Sequence, residues 1–133
     1  MKLTRASSYA LHAVAYMAQQ KNDKPVASHV VAAARDIPER FLLKLLQPLV
    51  SAGILRSIKG PNGGYRLSRP AKQITLLEVV EAVDGPIRGD APAVADGAAA
   101  SFDKKLQNVC DNVATVVRDK LGKVTLADLT RGK

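Results

Sequence analysis

The apolar positions along this chain change period several times, and each change marks an element. From Leu3 to Gln20 they fall at Leu3, Ala6, Ala10, Ala13, Val14 and Met17, the stripe of an amphipathic helix that Thr4 or Ser7 can cap. Lys21-Asn22-Asp23-Lys24-Pro25 has loop composition. A short Ala-rich helix is expected from about Ser28 to Arg35. Asp36-Ile37-Pro38-Glu39 then has the form of a helix start, with an acidic cap three residues before a Glu and Pro in the first turn. The helix it opens runs from about Pro38 to Ser51. It is expected to bury Phe41, Leu42, Leu45, Leu46 and Leu49 and to turn Arg40, Lys44 and Gln47 outward, with Gly53 closing it. Pro48 lies inside it. The missing N–H costs about 3 kcal/mol in a helix interior and predicts a kink or an early end.

The period then falls to two. Ile54 to Ile58 and Tyr65 to Ser68 alternate as strands around the turn formers Gly60-Pro61-Asn62-Gly63-Gly64, which predicts a hairpin. Arg69-Pro70 stops the second strand. Thr75 caps a further short helix through Val83, packed by Leu76, Leu77, Val79 and Val80, and Asp84-Gly85-Pro86 ends it. From Ile87 to Ala100 small residues and Asp dominate, and the segment reads as a linker with little to hold it in one shape. The longest helix follows, from Ser101 to Leu121. Its apolar residues Phe102, Leu106, Val109, Val113 and Val116 step by 4, 3, 4 and 3, the spacing of a helix-pairing seam, with Cys110 and Val117 beside it. Leu126 and Leu129 are placed to form a C-terminal turn that packs back.

Two short helices joined by a tight turn, then a hairpin, is the order of a winged helix-turn-helix. The expected fold is therefore mainly α with a small β-hairpin wing. It divides into a winged-helix DNA-binding domain (1–84), a flexible linker (85–100) and a dimerisation helix with its C-terminal turn (101–133).

Charge sharpens this picture. Residues 1–72 hold twelve Lys/Arg against three acids, a surplus of nine; residues 73–133 hold eight against nine. The whole surplus of a chain with net charge +8 thus lies in the winged-helix part, where an anion would dock. The single cysteine, Cys110, allows no disulfide and no multi-cysteine metal site within a chain, and it fits a reducing cytoplasm. There is no run of 18 apolar residues, and the N-terminus does not have the form of a signal peptide. Phosphate loops, Ser/His/Asp arrangements and metal-ligand spacings are absent from the sequence, which argues against an enzyme.

The candidate DNA contacts follow from the elements. Pro38, Glu39, Arg40 and Lys44 stand near the start of the second helix of the helix-turn-helix, where a recognition helix meets base edges. Arg56, Lys59 and Tyr65 surround a wing tip of Gly60, Pro61, Asn62, Gly63 and Gly64 that brings little bulk to a phosphate backbone or a minor groove. Thr4, Ser7, Tyr9 and Ser28 lie at helix starts that can donate to phosphate. The candidate dimer seam is Phe102, Leu106, Val109, Cys110, Val113, Val116 and Val117. His12 and His29 read as structural or phosphate-adjacent groups.

Several runs resemble the IscR/NsrR/CymR-type regulators of the Rrf2 family. They include Ile37-Pro38-Glu39-Arg40-Phe41-Leu42, Lys59-Gly60-Pro61-Asn62-Gly63-Gly64-Tyr65-Arg66-Leu67, Ile74-Thr75-Leu76-Leu77-Glu78-Val79-Val80-Glu81-Ala82-Val83-Asp84-Gly85-Pro86 and Val124-Thr125-Leu126-Ala127-Asp128-Leu129. The resemblance covers the chain apart from 87–100 and implies a homodimeric transcription regulator, expected to be a repressor, with its recognition helix in the major groove and its wing in the minor groove. Members that sense iron–sulfur status carry three cysteines before the long helix. Residues 88–104 here carry none, so no cofactor is expected. The expected partners are double-stranded DNA, a second copy and an effector of open chemistry, with no membrane. The alternative is a regulatory module that acts through a partner protein, or through a thiol signal at Cys110, with weak or lost DNA specificity.

Overall fold

A computed structural model describes residues 1–21, 24–94 and 97–131. Asn22 and Asp23 of the expected loop, Ala95 and Asp96 of the expected linker, and the last two residues of the expected dimerisation unit lie outside them. The elements in order are α1 (Arg5–Ala18), α2 (Ser28–Arg35), α3 (Glu39–Ser51), β1 (Leu55–Ile58), β2 (Gly64–Leu67), α4 (Leu76–Asp84), α5 (Ala100–Gly122) and α6 (Leu126–Thr130), with short 3-10 turns at Ala71–Gln73 and Gly97–Ala99.

Helix α1 is the centre of the core. Its inward positions Ala10, Ala13 and Val14 are small and fully buried, so α2, α3, α4, α6 and β2 can all pack on one slender helix. Leu42, Leu46 and Leu49 of α3, Val31 of α2, Ile54, Leu55, Ile74 and Val79 complete the cluster. Leu126 of α6 belongs to it as well. Its N–H donates to Ile74 O (2.8 Å), and Leu76 N–H donates to Val124 O (2.8 Å), so the end of the chain is stitched to the entry of α4. Leu129, the other half of the expected turn, stays exposed.

Three local expectations are corrected. Asp36 does not cap α3. It has φ 54° and closes α2 in the left-handed conformation, with Ile37 N–H returning to Ala32 O at 2.9 Å; an N-cap needs an extended backbone, so one residue cannot serve both ends. Pro48 does not end α3, which runs on to Ser51. The carbonyl deprived of its donor is that of Lys44, and buried Leu46 and Leu49 hold the last turns in place. Gly53 (φ 77°) then closes the helix as expected, with Gly53 N–H to Val50 O and Ile54 N–H to Leu49 O, both 3.0 Å. Phe41, expected in the core, is exposed. Its position on α3 is more than a quarter turn from the Leu42/Leu46/Leu49 stripe, and Leu45 alone bridges the two, half-buried.

The hairpin pairs Leu55 with Leu67, Arg56 with Arg66 and Ser57 with Tyr65. Its base is held by a third segment, because Val26 N–H donates to Tyr65 O (2.8 Å) and Tyr65 N–H to Val26 O (2.9 Å). Gly64 makes that approach feasible. It has φ 150°, and a Cβ there would lie 2.4 Å from Val26 O. Gly64→Ala is therefore expected to cost about 2 kcal/mol in urea unfolding; an unchanged midpoint would contradict the packing described.

Helix α4 opens on the expected Thr75 cap, completed as a box: Glu78 N–H donates to Thr75 Oγ1 (3.1 Å) and Thr75 N–H to Glu78 Oε2 (2.9 Å). Arg69 reaches the same carboxylate at 2.6 Å and also donates to Gln73 O at 2.8 Å. Partial burial pushes the Glu78 carboxyl up, but hydrogen bonds from Arg69 and Thr75 together outweigh it and leave the group below its usual range. A carboxyl whose value is lower folded than unfolded contributes stability above its ordinary value of 4.5 and loses it as pH falls below that. The acid limb of a stability–pH curve is expected to flatten in Glu78→Gln; an acid limb as steep as that of the native chain would show that Glu78 is not part of it.

Residues 87–94 lie along α5. Composition alone gave this segment the look of a flexible linker, and its backbone is nonetheless tied down, by Glu81 at its start and by α5 along its length. Arg118 donates to Ile87 O (2.6 Å), Gln107 takes Ala91 N–H and donates to Gly89 O (both 3.0 Å), and Asp103 accepts from Val94 N–H (3.1 Å).

Candidate nucleic-acid interface

Helices α2 and α3, joined by the Asp36 turn, present the outer face of α3 to solvent. Arg40 and Lys44, four residues apart, occupy the middle of that face, diametrically away from Leu42, Leu46 and Leu49. Pro38 and Glu39 stand exposed at its start. Among the described residues no side chain caps the first turn of α3 or of α2, whose N-cap is Ala27, so their leading amides remain for an external acceptor.

Contacts join this face to three neighbours. On one side, Arg5, Ala6 and Tyr9 of α1 border Phe41, Lys44 and Leu45 around a single notch. On the other, Ser28 Oγ donates to Glu39 Oε2 (3.1 Å), tying the start of α2 to the start of α3. Beyond α2, Lys24, Pro25 and Ala27 border Asn62 and Gly63 of the wing tip. The result is one continuous band: start of α1, outer face of α3, start of α2, wing. Arg5, Lys24, Arg40, Lys44, Arg56 and Lys59 are all exposed. In the hairpin, Arg56 and Arg66 stand directly opposite each other.

The structure sorts the residues expected from sequence. Pro38, Glu39, Arg40 and Lys44 are exposed on α3 and Asn62 at the wing tip; Arg56, Lys59, Gly60 and Pro61 are exposed along the hairpin, Arg56 beside the end of α1, and Gly63, Gly64, Tyr65 and Tyr9 are half-buried. Ser7 is corrected. It is fully buried, and its hydroxyl donates to Asp84 Oδ2 at 2.5 Å, so it does not reach a phosphate. Thr4 caps α1 by accepting from Ser7 N–H (3.0 Å), while its hydroxyl proton goes to the same Asp84 oxygen (2.7 Å). Ser28 has given its proton to Glu39, so only its backbone N–H is left for the role proposed for its side chain. Arg5 and Lys24 were missed. The signal was available: each is a cation within a few residues of a helix start already singled out. Two other cations serve the fold. Arg69 is held as above, and Arg35 donates to His12 Nδ1 (2.9 Å) and Gln19 Oε1 (2.7 Å) over the ring of Tyr16. His12 is thus a structural acceptor, as expected.

On α5, Phe102, Leu106, Val109, Val113 and Val116 are all exposed, and Cys110 and Val117 are half-buried. Among the described residues no three His, Cys, Asp or Glu side chains gather to hold a metal ion, and no helix is long and apolar enough to cross a membrane.

A helix-turn-helix with a hairpin wing and one cationic face defines a transcription regulator with a DNA-binding winged-helix fold, which is not an enzyme class. The family model described as "Rrf2: Iron-dependent Transcriptional regulator" matches residues 3–132, and the chain belongs to the Rrf2 family. It is 30% identical over 139 residues to a putative HTH-type transcriptional regulator of Mycobacterium tuberculosis, covering 99% of this chain and 83% of that one. It is 40% identical over 84 residues to the protein aau3 of Rhizobium meliloti, covering 63% of this chain and 54% of that protein, so the match spans about half of that relative. Among solved structures, CymR of B. subtilis, titled the global cysteine regulator, aligns with TM-score 0.76 at 25% identity over 98% of this chain and 96% of its own. T. potens IscR aligns with TM-score 0.71 at 25% identity, over 97% and 85%.

The family description names iron, and the thiols of this chain bear on whether it could be held as a cluster. An iron–sulfur cluster needs several thiolates, and this chain has one, Cys110, on the half-buried flank of α5. The donor set does not fit a cluster held by one chain.

Proposed function

We propose that this regulator is a homodimer that binds double-stranded DNA sequence-specifically, with α3 in the major groove and the wing in the adjacent minor groove, and that it represses transcription without an iron–sulfur cluster. The observation that carries the reading is the continuous cationic band: four elements distant in sequence converge on one face, and each brings either an exposed cation or uncapped amides. Arg5 and the starts of α2 and α3 position the phosphate backbone; Arg40 and Lys44 face the base edges; Arg56, Lys59 and the Gly60–Gly64 tip follow the minor groove. The division into a DNA-binding part (1–84) and a pairing helix joined by 85–100 is part of this proposal. The seam supports the dimer. Five apolar residues at 3.5-residue spacing lie open on one helix, and a second copy of the same helix would bury them. Repression follows from a bound dimer occupying the promoter, and a reporter assay with and without the gene reads its direction.

The test is an anisotropy titration onto DNA from upstream of the protein's own gene, against an unrelated duplex of equal length, at several salt concentrations. Preference for the first duplex by a factor of about a thousand, with steep salt dependence, is the expected result. Equal weak binding to both would favour the module acting through a partner protein.

A further inference from the structure

We infer that Phe41 is a specificity-determining residue whose ring, with the notch beside it, receives the C5-methyl group of a thymine. The inference rests on the reading of α3 as the helix in the major groove. Phe41 is 45% exposed, whereas Leu42, Leu46 and Leu49 of the same helix are at 0 to 1%. Leu43, on the opposite flank of α3, is open as well at 48%, but the Phe41 ring borders the notch beside α1, and that surrounding sets it apart.

Its surroundings identify the occupant. The notch has a volume of about 260 Å³ and is lined by Arg5, Ala6, Tyr9, Phe41, Lys44 and Leu45. Its floor is hydrocarbon and aromatic, and its rim carries the cations Arg5 and Lys44. The Arg40 guanidinium carbon lies 5.5 Å from the centre of the Phe41 ring, so a third cation stands against the same side chain. A purely apolar partner would leave these three charges desolvated and unpaired. A ligand that offers a small apolar group flanked closely by anions satisfies both parts. In the major groove, thymine is the base that presents a methyl group, and its phosphates lie within reach on either side.

Operator sites are first selected from a random duplex library with the full-length protein. Each thymine of the selected site is then replaced singly by deoxyuridine, which removes only the methyl group. At one thymine per half-site the replacement is expected to weaken binding about fourfold, the effect of exposing one buried methyl-sized group. Phe41→Ala should erase the thymine–deoxyuridine difference, and Phe41→Leu should keep part of it. Leu43→Ala, which removes an apolar side chain exposed on the other flank of α3, should leave it intact. Both Phe41 variants change an exposed residue, and melting curves confirm that each is folded. A selected motif with no methyl-sensitive thymine, or a difference that survives in Phe41→Ala or vanishes in Leu43→Ala, overturns the inference while sequence-specific binding stands. Failure to select any motif overturns both.

Discussion

Placing carboxylates at Val109 and Val116 is expected to split the protein into monomers and to lower operator affinity by about a thousandfold. Both side chains are well exposed in the single chain, at 57% and 67%, so Val109→Asp with Val116→Asp should cost the fold little. In a pair of α5 helices the same positions face one another. Aspartates there would bring like charges together in an apolar seam and remove four valine contacts per dimer. The DNA effect follows from valence. A dimer that has engaged one half-site holds its second winged helix near the other at millimolar effective concentration, and a monomer must bind each half-site independently. Light scattering at micromolar concentration checks the mass, and the operator titration checks the affinity. A native chain that is already monomeric, or a variant that stays dimeric, would show that α5 does not form the seam.

Removing the two central cations of α3 is the second large effect. Arg40→Ala with Lys44→Ala should weaken operator binding about a hundredfold and lower the salt slope by up to about four, since a dimer loses four charges and each phosphate contact contributes close to one. Separating the two distinguishes their roles. If Arg40 reads a base, Arg40→Ala alone relaxes preference at one position per half-site, while Lys44→Ala weakens all sequences alike. Arg69→Ala is the internal control. Its guanidinium is committed to Glu78 and to backbone carbonyls, so it should lower stability and leave the salt slope unchanged. A double α3 variant with native affinity and slope would move the DNA-facing surface away from α3.

Legibility differed with the physical origin of each feature. Elements set by local period and capping were readable: the α1 stripe, the Gly53 stop, the hairpin around Gly60–Gly64, the Thr75 cap and the α5 stripe depend on residues within a few positions of one another. The errors share a cause. Asp36 satisfies the pattern of an N-cap but is required to end α2, a choice settled by how tightly α2 and α3 are joined. Pro48 carries the penalty of a lost hydrogen bond and a ring clash, and the burial of Leu46 and Leu49 around it holds the helix through to Ser51. Ser7 has the chemistry of a phosphate donor, but Asp84, seventy-seven residues away, takes its proton.

The sequence by itself determined that the chain forms a winged helix, that its cations gather in residues 1–72 and that one helix carries an unburied seam, because composition and period are properties of the chain alone. Only the tertiary structure decided which polar groups remain for DNA and which are consumed within the fold. The hydroxyls of Thr4, Ser7 and Ser28 all looked available until carboxylates elsewhere in the chain were brought beside them. Phe41 looked buried until the packing of α3 against α1 left its ring outside. Availability depends on what lies next to a side chain in space, and no spacing along the chain encodes that.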